Sequence, residues 1–315
     1  MIKKTKIVIV GAGNVGSSTA YNLMIQGVCN EIVLIDINKT KANAEALDLQ
    51  HCVEYINRTV SIYAGEYSDC GDADIIVITA AVPLIPGQTR LDMTEAASKI
   101  MKSIIPPIML SGFNGHFIII TNPVDIMSYY VYKLSGLPKN QIIGTGTALD
   151  SARLKKSIAD LINVDIKSVQ AYSIGEHGDS QIVPWSLVTV GGKSFKDILE
   201  DNIDRFGVVD LDELVKRTIK SGWEIAAGKG TTNYGISATT VGIIKAMVNN
   251  ENRIIPTSVM LNGEFGEKDI FVGVPAVINS TGVKEILQIH LTNEELVGFK
   301  KSIQIIKNVM TKMNI

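Results

Sequence analysis

The sequence predicts an α/β protein, a doubly wound parallel sheet followed by a mixed α+β region. Three observations carry that prediction. Short apolar, β-branched runs alternate with helix-length segments through the first half of the chain. A glycine-rich turn joins the first such run directly to the first such helix. After about Thr145 the alternation gives way to helices and hairpin-like strands.

Taken in order, Ile7–Val10, Glu31–Ile35, Ile75–Thr79 and Phe117–Thr121 read as strands, because they are apolar throughout rather than on alternate residues. Strands covered on both faces have that pattern. Asn14–Gln26, Lys39–Tyr55 and a segment from Arg90 to about Ser111 have helix length. Further on, helices are expected over Asp150–Ile162, Asp210–Gly228 and Tyr234–Val248, with β segments at Val169–Ile174 and Ser186–Val190. Ser258–Leu261 and Phe271–Ala276 suggest an antiparallel hairpin. The final helix opens with Thr292-x-x-Glu295, a capping-box pattern. Leu296, Phe299, Ile303, Ile306 and Met310 then recur at three- and four-residue steps and form one apolar face. The expected domains are residues 1–145 and 146–315, closely packed, since no long linker separates them.

With 315 residues the chain exceeds what one core usually organises. Acids and bases are interspersed and the net charge is −2, which leaves no basic footprint for nucleic acid or a membrane surface. A small-molecule partner is expected instead. Cys29, Cys52 and Cys70 are odd in number, widely spaced and without a Cys-x-x-Cys pair. That pattern argues against a disulfide framework or a structural zinc site and fits a reducing cytoplasm better. The apolar run Ile7–Val10 is too short for a signal peptide, and the longest apolar stretch, Ile75 to Val82, stops at Pro83, far short of a membrane span.

Gly11-Ala12-Gly13-Asn14-Val15-Gly16 matches G-x-G-x-x-G between a strand and a helix, the context of a dinucleotide-binding (Rossmann) fingerprint. Gly11 permits the tight turn, Gly13 lets backbone approach a pyrophosphate, and Gly16 lets helix pack on strand. Asp36 follows 20 residues after Gly16, at the end of the second strand. A carboxylate there suits the ribose hydroxyls of NAD and repels the extra phosphate of NADP, although it could instead cap the next helix. FAD and S-adenosylmethionine sites share this much of the pattern, so the second half must decide the cofactor.

Hydride reduction of a 2-oxo acid makes three demands: an anchor for the carboxylate, polarisation of the ketone, and a proton for its oxygen. The chain offers residues for each. Asp150 and Arg153 lie three apart at a helix start and share a face. His177 stands in the glycine-flanked loop Gly175–Asp179, and Arg90 ends the Pro- and Gly-rich loop from Pro83. Such loops make natural lids. Singly, each has an ordinary alternative: a helix ion pair, a surface histidine, the start of a solvated helix. His51, His116 and His290 occupy helical or strand-edge contexts and are not expected to act in catalysis.

As a set, these pieces resemble the L-lactate dehydrogenases of the lactate/malate dehydrogenase superfamily along essentially the whole chain. The matching segments are Gly11–Gly16, Asp36, Pro86–Arg90, Thr121–Asp125, Leu149–Arg153, Gly175–Asp179 and Thr232. The resemblance implies that His177 is the general acid in reduction, oriented by Asp150, that Arg153 grips the substrate carboxylate, and that Arg90 polarises the carbonyl. It implies substrate contacts for Asn122, Thr232 and Leu84, and NAD contacts for Gly11, Gly13, Asn14, Val15, Gly16, Asp36, Thr79 and Asn122. It also implies a homo-oligomer, expected to be a tetramer, and no metal. Leu84 stands where lactate enzymes of the family usually carry Gln and malate enzymes Arg. That disfavours a second carboxylate and admits longer aliphatic substrates, as in the L-2-hydroxyisocaproate dehydrogenases. Lys155 and Gln170 occupy the positions of an Arg and a His that bind fructose 1,6-bisphosphate in many bacterial relatives, which weakens the case for that regulation. A non-catalytic redox sensor would need only the glycine loop and Asp36, so the presence of the other residues argues against it.

Overall fold

The computed structural model describes residues 4–81 and 90–313, and the side chains of all of these but residues 90–92. The first half comprises β1 (Lys6–Val10), α1 (Asn14–Ile25), β2 (Glu31–Ile35), α2 (Lys39–His51), β3 (Ser61–Ala64), β4 (Ile75–Ile78), α3 (Arg90–Leu110), β5 (His116–Ile119), α4 (Val124–Ser135) and β6 (Ile142–Gly144). All six strands pair parallel in the order β3-β2-β1-β4-β5-β6. The strand order reverses between β1 and β4, and doubly wound sheets bind ligands in the crevice beyond the carboxyl ends at that point. Ile7, Val8 and Ile9 on β1 and Ile76, Val77 and Ile78 on β4 have no exposed surface, which accounts for their unbroken apolar runs.

The expected elements appear with small shifts. The helix expected over Lys39–Tyr55 ends at His51 and continues as a 3₁₀ turn, Cys52–Tyr55. The sequence pattern does not announce β3, β6 or α4. The first two are only four and three residues long. In α4, Val124–Ser128, Tyr130 and Val131 are all buried, so the helix lacks the polar face that makes amphipathic periodicity visible.

The second half contributes α5 (Ala148–Ile162), β7 (Val169–Gln170), β8 (Thr189–Val190), β9 (Lys193–Ser194), α6 (Phe195–Asp201), α7 (Ile203–Phe206), α8 (Leu211–Lys229), α9 (Tyr234–Val248), β10 (Arg253–Asn262), β11 (Lys268–Asn279), β12 (Gly282–Ile286) and α10 (Asn293–Lys312). β10 and β11 form the expected hairpin. β10 also pairs antiparallel with β6, through Ser258 and Gly144, so one nine-stranded sheet runs through both halves of the chain. The segment expected as a strand over Val169–Ile174 pairs only at β7, with Ile174 bridging Ile182. Ser186–Val190 starts instead in the 3₁₀ turn Trp185–Leu187 behind Pro184, which has no N–H to give to a ladder.

The main core packs against the nine-stranded sheet and includes Phe117, Phe271 and Phe299, while a smaller one gathers Leu154, Ile158, Val169, Phe195 and Leu214. The capping box on α10 is formed: Thr292 Oγ1 accepts from Glu295 N (3.3 Å) and Glu295 Oε2 accepts from Thr292 N (3.0 Å). The helix buries Phe299, Ile303, Ile306 and Met310, each worth about 1.5–3 kcal/mol, while Leu296 is half-buried. Ser302 is buried on the same face, a polar exception explained by the site below. Among the described residues, no helix is long and apolar enough to cross a membrane.

Candidate active site

The crevice between β1 and β4 is floored by the glycine loop. Gly11 has φ +109°, and a Cβ there would lie 2.5 Å from Thr79 Oγ1 and 2.7 Å from Ala80 N. A Cβ on Gly16 would lie 1.9 Å from Gly11 O. Both positions therefore exclude side chains for internal reasons. Gly13 differs, because a Cβ there would meet nothing within 4 Å; it keeps open space clear above the loop. Asn14 and Val15 begin α1, whose N-terminus has no side-chain cap among the described residues and no acid in its first turn. Its amide donors and partial positive charge remain available to an anion.

Thr79 and Asp36 brace this loop. The Thr79 hydroxyl donates to Gly11 O (2.8 Å), and Gly11 N donates to Ile35 O (2.7 Å). Asp36 Oδ2 accepts from Ala12 N (2.7 Å), and Oδ1 accepts from Asn38 N (2.8 Å). Asp36 does not cap α2; Asn38 does, accepting from Lys41 N. A carboxylate has about four acceptor positions, so Asp36 can hold the loop and still receive ribose hydroxyls. An open, amide-lined cradle beside a carboxylate with spare acceptor positions fits the pyrophosphate and ribose of NAD.

α1 is fastened to the second half of the chain: Asn233 Nδ2 donates to Ser18 Oγ (2.7 Å) and Ser237 Oγ to Ser18 O (2.8 Å). Thr232, half-buried, directly precedes Asn233 in the turn between α8 and α9. Asn122 is exposed beyond the end of β5, before a cis peptide bond to Pro123.

The structure brings His177, Asp150 and Arg153 together. Asp150, in the first turn of α5, is buried, and its Oδ2 lies 2.7 Å from His177 Nδ1. Its other oxygen, Oδ1, accepts from Arg153 Nη1 (3.2 Å), one turn along the same helix face. α8 crosses the guanidinium at Gly222, where a Cβ would sit 3.3 Å from both terminal nitrogens. Burial alone would pull the half-buried His177 ring down, but the Asp150 carboxylate outweighs it and Asp125 adds to it, so the imidazole is held above its ordinary range. Burial likewise pushes Asp150 up, and His177 and Arg153 outweigh it, leaving the carboxyl below its usual range. With Nδ1 committed to Asp150, Nε2 is the nitrogen left to exchange a proton with a ligand.

The His177 loop is pinned at successive positions. Gly175 has φ +101° and exchanges backbone hydrogen bonds with Gly273 on β11 (2.9 and 3.0 Å). Glu176 N donates to Ser302 Oγ (2.8 Å), and His177 N donates to Asp125 Oδ2 (2.9 Å). Ser258 Oγ completes Asp125 by donating to Oδ1 (2.5 Å). Sequence reasoning included Asp125 in a matching segment without giving it a role, and missed Ser258, Ser302 and Gly222 as parts of the site. The available signal was a lone serine within each of two apolar patterns, β10 and the buried face of α10.

Leu84 lies outside the described residues, as does the side chain of Arg90, whose backbone opens α3. Lys155 is held below its ordinary range by burial and by the nearby Arg253 charge, and Gln170 is exposed on β7. The three cysteines are free; burial pushes Cys29 and Cys70 up to about 12, which makes them inert thiols. No cluster of metal-binding side chains occurs among the described residues.

A doubly wound sheet with this cradle, and a histidine held by a carboxylate that also holds an arginine, is the framework of a dinucleotide-dependent dehydrogenase. Comparison with known proteins narrows it. Residues 5–144 match the NAD binding domain of lactate/malate dehydrogenase, and residues 147–314 match its alpha/beta C-terminal domain. The L-lactate dehydrogenase 3 of Bacillus cereus is 50% identical over 305 residues, spanning 97% of this chain and 96% of the relative. The L-lactate dehydrogenase 2 of Bacillus anthracis is 45% identical over 97% of each. Among solved structures, the ligand-bound minor L-lactate dehydrogenase of Enterococcus mundtii superposes with a TM-score of 0.94 at 44% identity, covering 98% of both chains. A lactate dehydrogenase from a Medee basin deep-sea metagenome library gives 0.96 at 41% identity over 100% of both. The chain belongs to the lactate/malate dehydrogenase family.

Proposed function

We propose that this chain is an NAD-dependent L-lactate dehydrogenase that interconverts pyruvate and L-lactate. The observation that carries the reading is the hydrogen-bonded series His177–Asp150–Arg153, which supplies a proton donor and a carboxylate anchor in one place. When bound, NADH supplies the hydride. Arg153 receives the substrate carboxylate on its planar fork, beside the edge that Asp150 holds. Protonated His177 gives the Nε2 proton to the ketone oxygen, and Asp150 holds the ring and stabilises its charged form. In the reverse direction neutral His177 takes the proton from the hydroxyl.

By the family resemblance Arg90 polarises the carbonyl, and Asn122 and Thr232 contact the substrate. Leu84 is assigned to substrate selection by the family resemblance, since an apolar residue at that position offers no partner to a second substrate carboxylate. Residues 1–145 hold the cofactor, through the Gly11–Gly16 loop, Asp36 and Thr79, and residues 146–315 hold the substrate; the two matched family segments support that division. The enzyme works in the cytoplasm, in glycolysis, as a homotetramer. Three free cysteines support a reducing compartment, and exposed apolar side chains such as Tyr21, Leu47 and Trp223 support association. Fructose 1,6-bisphosphate activation is weak or absent, given Lys155 and Gln170.

NADH oxidation followed with pyruvate, oxaloacetate and 2-oxoisocaproate tests the proposal. Pyruvate should give the highest kcat/KM, with 2-oxoisocaproate turned over and oxaloacetate nearly inert. A preference for oxaloacetate would overturn the substrate assignment, and a preference for 2-oxoisocaproate would move the enzyme to the hydroxyisocaproate branch.

A further inference from the structure

Asn233 caps the start of α9, a place where asparagine ordinarily turns its side chain back to accept an amide hydrogen bond from its own helix. Here it makes no such cap among the described residues. The side chain, on a residue only 8% exposed, is committed elsewhere. Oδ1 accepts from Lys229 Nζ in the last turn of α8 (2.5 Å), and Nδ2 donates to Ser18 Oγ in α1 (2.7 Å). A residue that departs from its local rule without a local gain marks a position held for another reason.

The two helices it joins have different tasks. α1 offers its N-terminus to the cofactor, and Ser18 lies one turn further along it. α8 backs the substrate anchor, because Gly222 lies against the Arg153 guanidinium. The turn around Asn233 also meets α5 directly: a Cβ on Gly235 would lie 3.0 Å from the side chain of Leu149, the residue before Asp150. One turn later Ser237 Oγ repeats the tie to α1 by donating to Ser18 O (2.8 Å). Asn233 thus stands where the cofactor helix, the helix behind Arg153 and the helix carrying Asp150 come together.

We propose that Asn233 is a positioning residue: its amide sets α8, and with it Arg153, against α1, so that cofactor and substrate carboxylate are bound in register. The inference rests on Arg153 as the carboxylate anchor. Because one side chain fixes both helices, a ligand on either stabilises the arrangement that the other requires. The two affinities are then linked, and the linkage is reciprocal.

Oxamate, a pyruvate isostere that accepts no hydride, reads that linkage without turnover. The dissociation constant of NADH is measured by its fluorescence with and without saturating oxamate. Asn233→Ala should bind NADH alone within a few-fold of wild type. It should lose roughly 3–10-fold of the tightening that oxamate brings. Its KM for pyruvate should rise by a similar factor, with kcat lowered less. Asn233→Asp, whose carboxylate can accept from both Lys229 Nζ and Ser18 Oγ, should restore most of the tightening. Ser18→Ala removes the α1 contact and leaves the Lys229 one, so it should lose as much as Asn233→Ala, and the double variant no more than either. It serves alone if Asn233→Ala does not fold. A lowered Tm with the oxamate effect unchanged in both variants would reduce Asn233 to a packing role and overturn the proposal. A wild type that tightens on NADH with oxamate yet reduces no pyruvate would refute the assigned reaction and leave this test standing. A wild type indifferent to oxamate would overturn both.

Discussion

The glycine loop after β1 and the histidine loop after β7 both present a binding surface, and they do so by opposite means. The first works by omission: Gly11 and Gly16 exclude side chains because backbone and Thr79 already fill the space, and Gly13 keeps the cradle open. Its donors are main-chain amides fixed by the strand–turn–helix geometry. The second works by convergence. His177 is held by Asp150, 27 residues before it, and by Asp125, 52 residues before it, while Glu176 is held by Ser302, 126 residues later. A backbone-built site should be sensitive to added atoms and indifferent to most charge changes. A side-chain-built one should fail when a single group is removed.

The largest effect belongs to the second region. His177→Ala should lower turnover with pyruvate by about 10²–10⁴-fold, the usual contribution of general acid catalysis, while the NADH dissociation constant stays within a few-fold. Loss of both together would mean that the two regions are not independent.

Glycine substitutions separate folding from binding within the first region. Gly16→Ala places a Cβ 1.9 Å from Gly11 O, so it should lower Tm as well as NADH affinity. Gly13→Ala meets no protein atom within 4 Å, so it should leave Tm unchanged and weaken NADH by roughly tenfold or more, comparable to one lost charge-assisted contact. Equal melting losses in the two variants would contradict the cradle geometry.

A smaller effect is expected at Asp36. Asp36→Ser should relax the preference for NADH over NADPH by about tenfold, since it removes the carboxylate proposed to face the 2′ position. It also removes the acceptor for Ala12 N and Asn38 N, so some loss of NADH affinity should accompany the change. A wild type that uses NADH and NADPH equally would remove Asp36 from cofactor selection.

The same contrast explains what could be read from the chain alone. The glycine loop, Asp36 and the Asp150–Arg153 pair are local patterns, set by a turn, a strand length and one helical turn. The attachment of His177 to them spans two elements and became legible only through the family resemblance. Asp125 meets Ser258, and Glu176 meets Ser302, through tertiary packing, and no spacing rule links an α4 residue to one on β10. α4 itself escaped because burial on nearly all sides erases its amphipathic signal. The β7 region was overextended because an apolar run does not reveal whether a partner strand continues beside it.

The pH dependence of kcat/KM for pyruvate at saturating NADH tests most directly whether His177 delivers the proton. The Asp150 carboxylate holds the His177 ring above its ordinary range against burial, so the active, protonated form persists below that raised value and is lost as pH rises through it. The rate should be level on the acid side and fall about tenfold per pH unit on the alkaline side, with lactate oxidation showing the opposite trend. Pyruvate reduction that rises with pH, or does not respond to it in this range, would contradict the account.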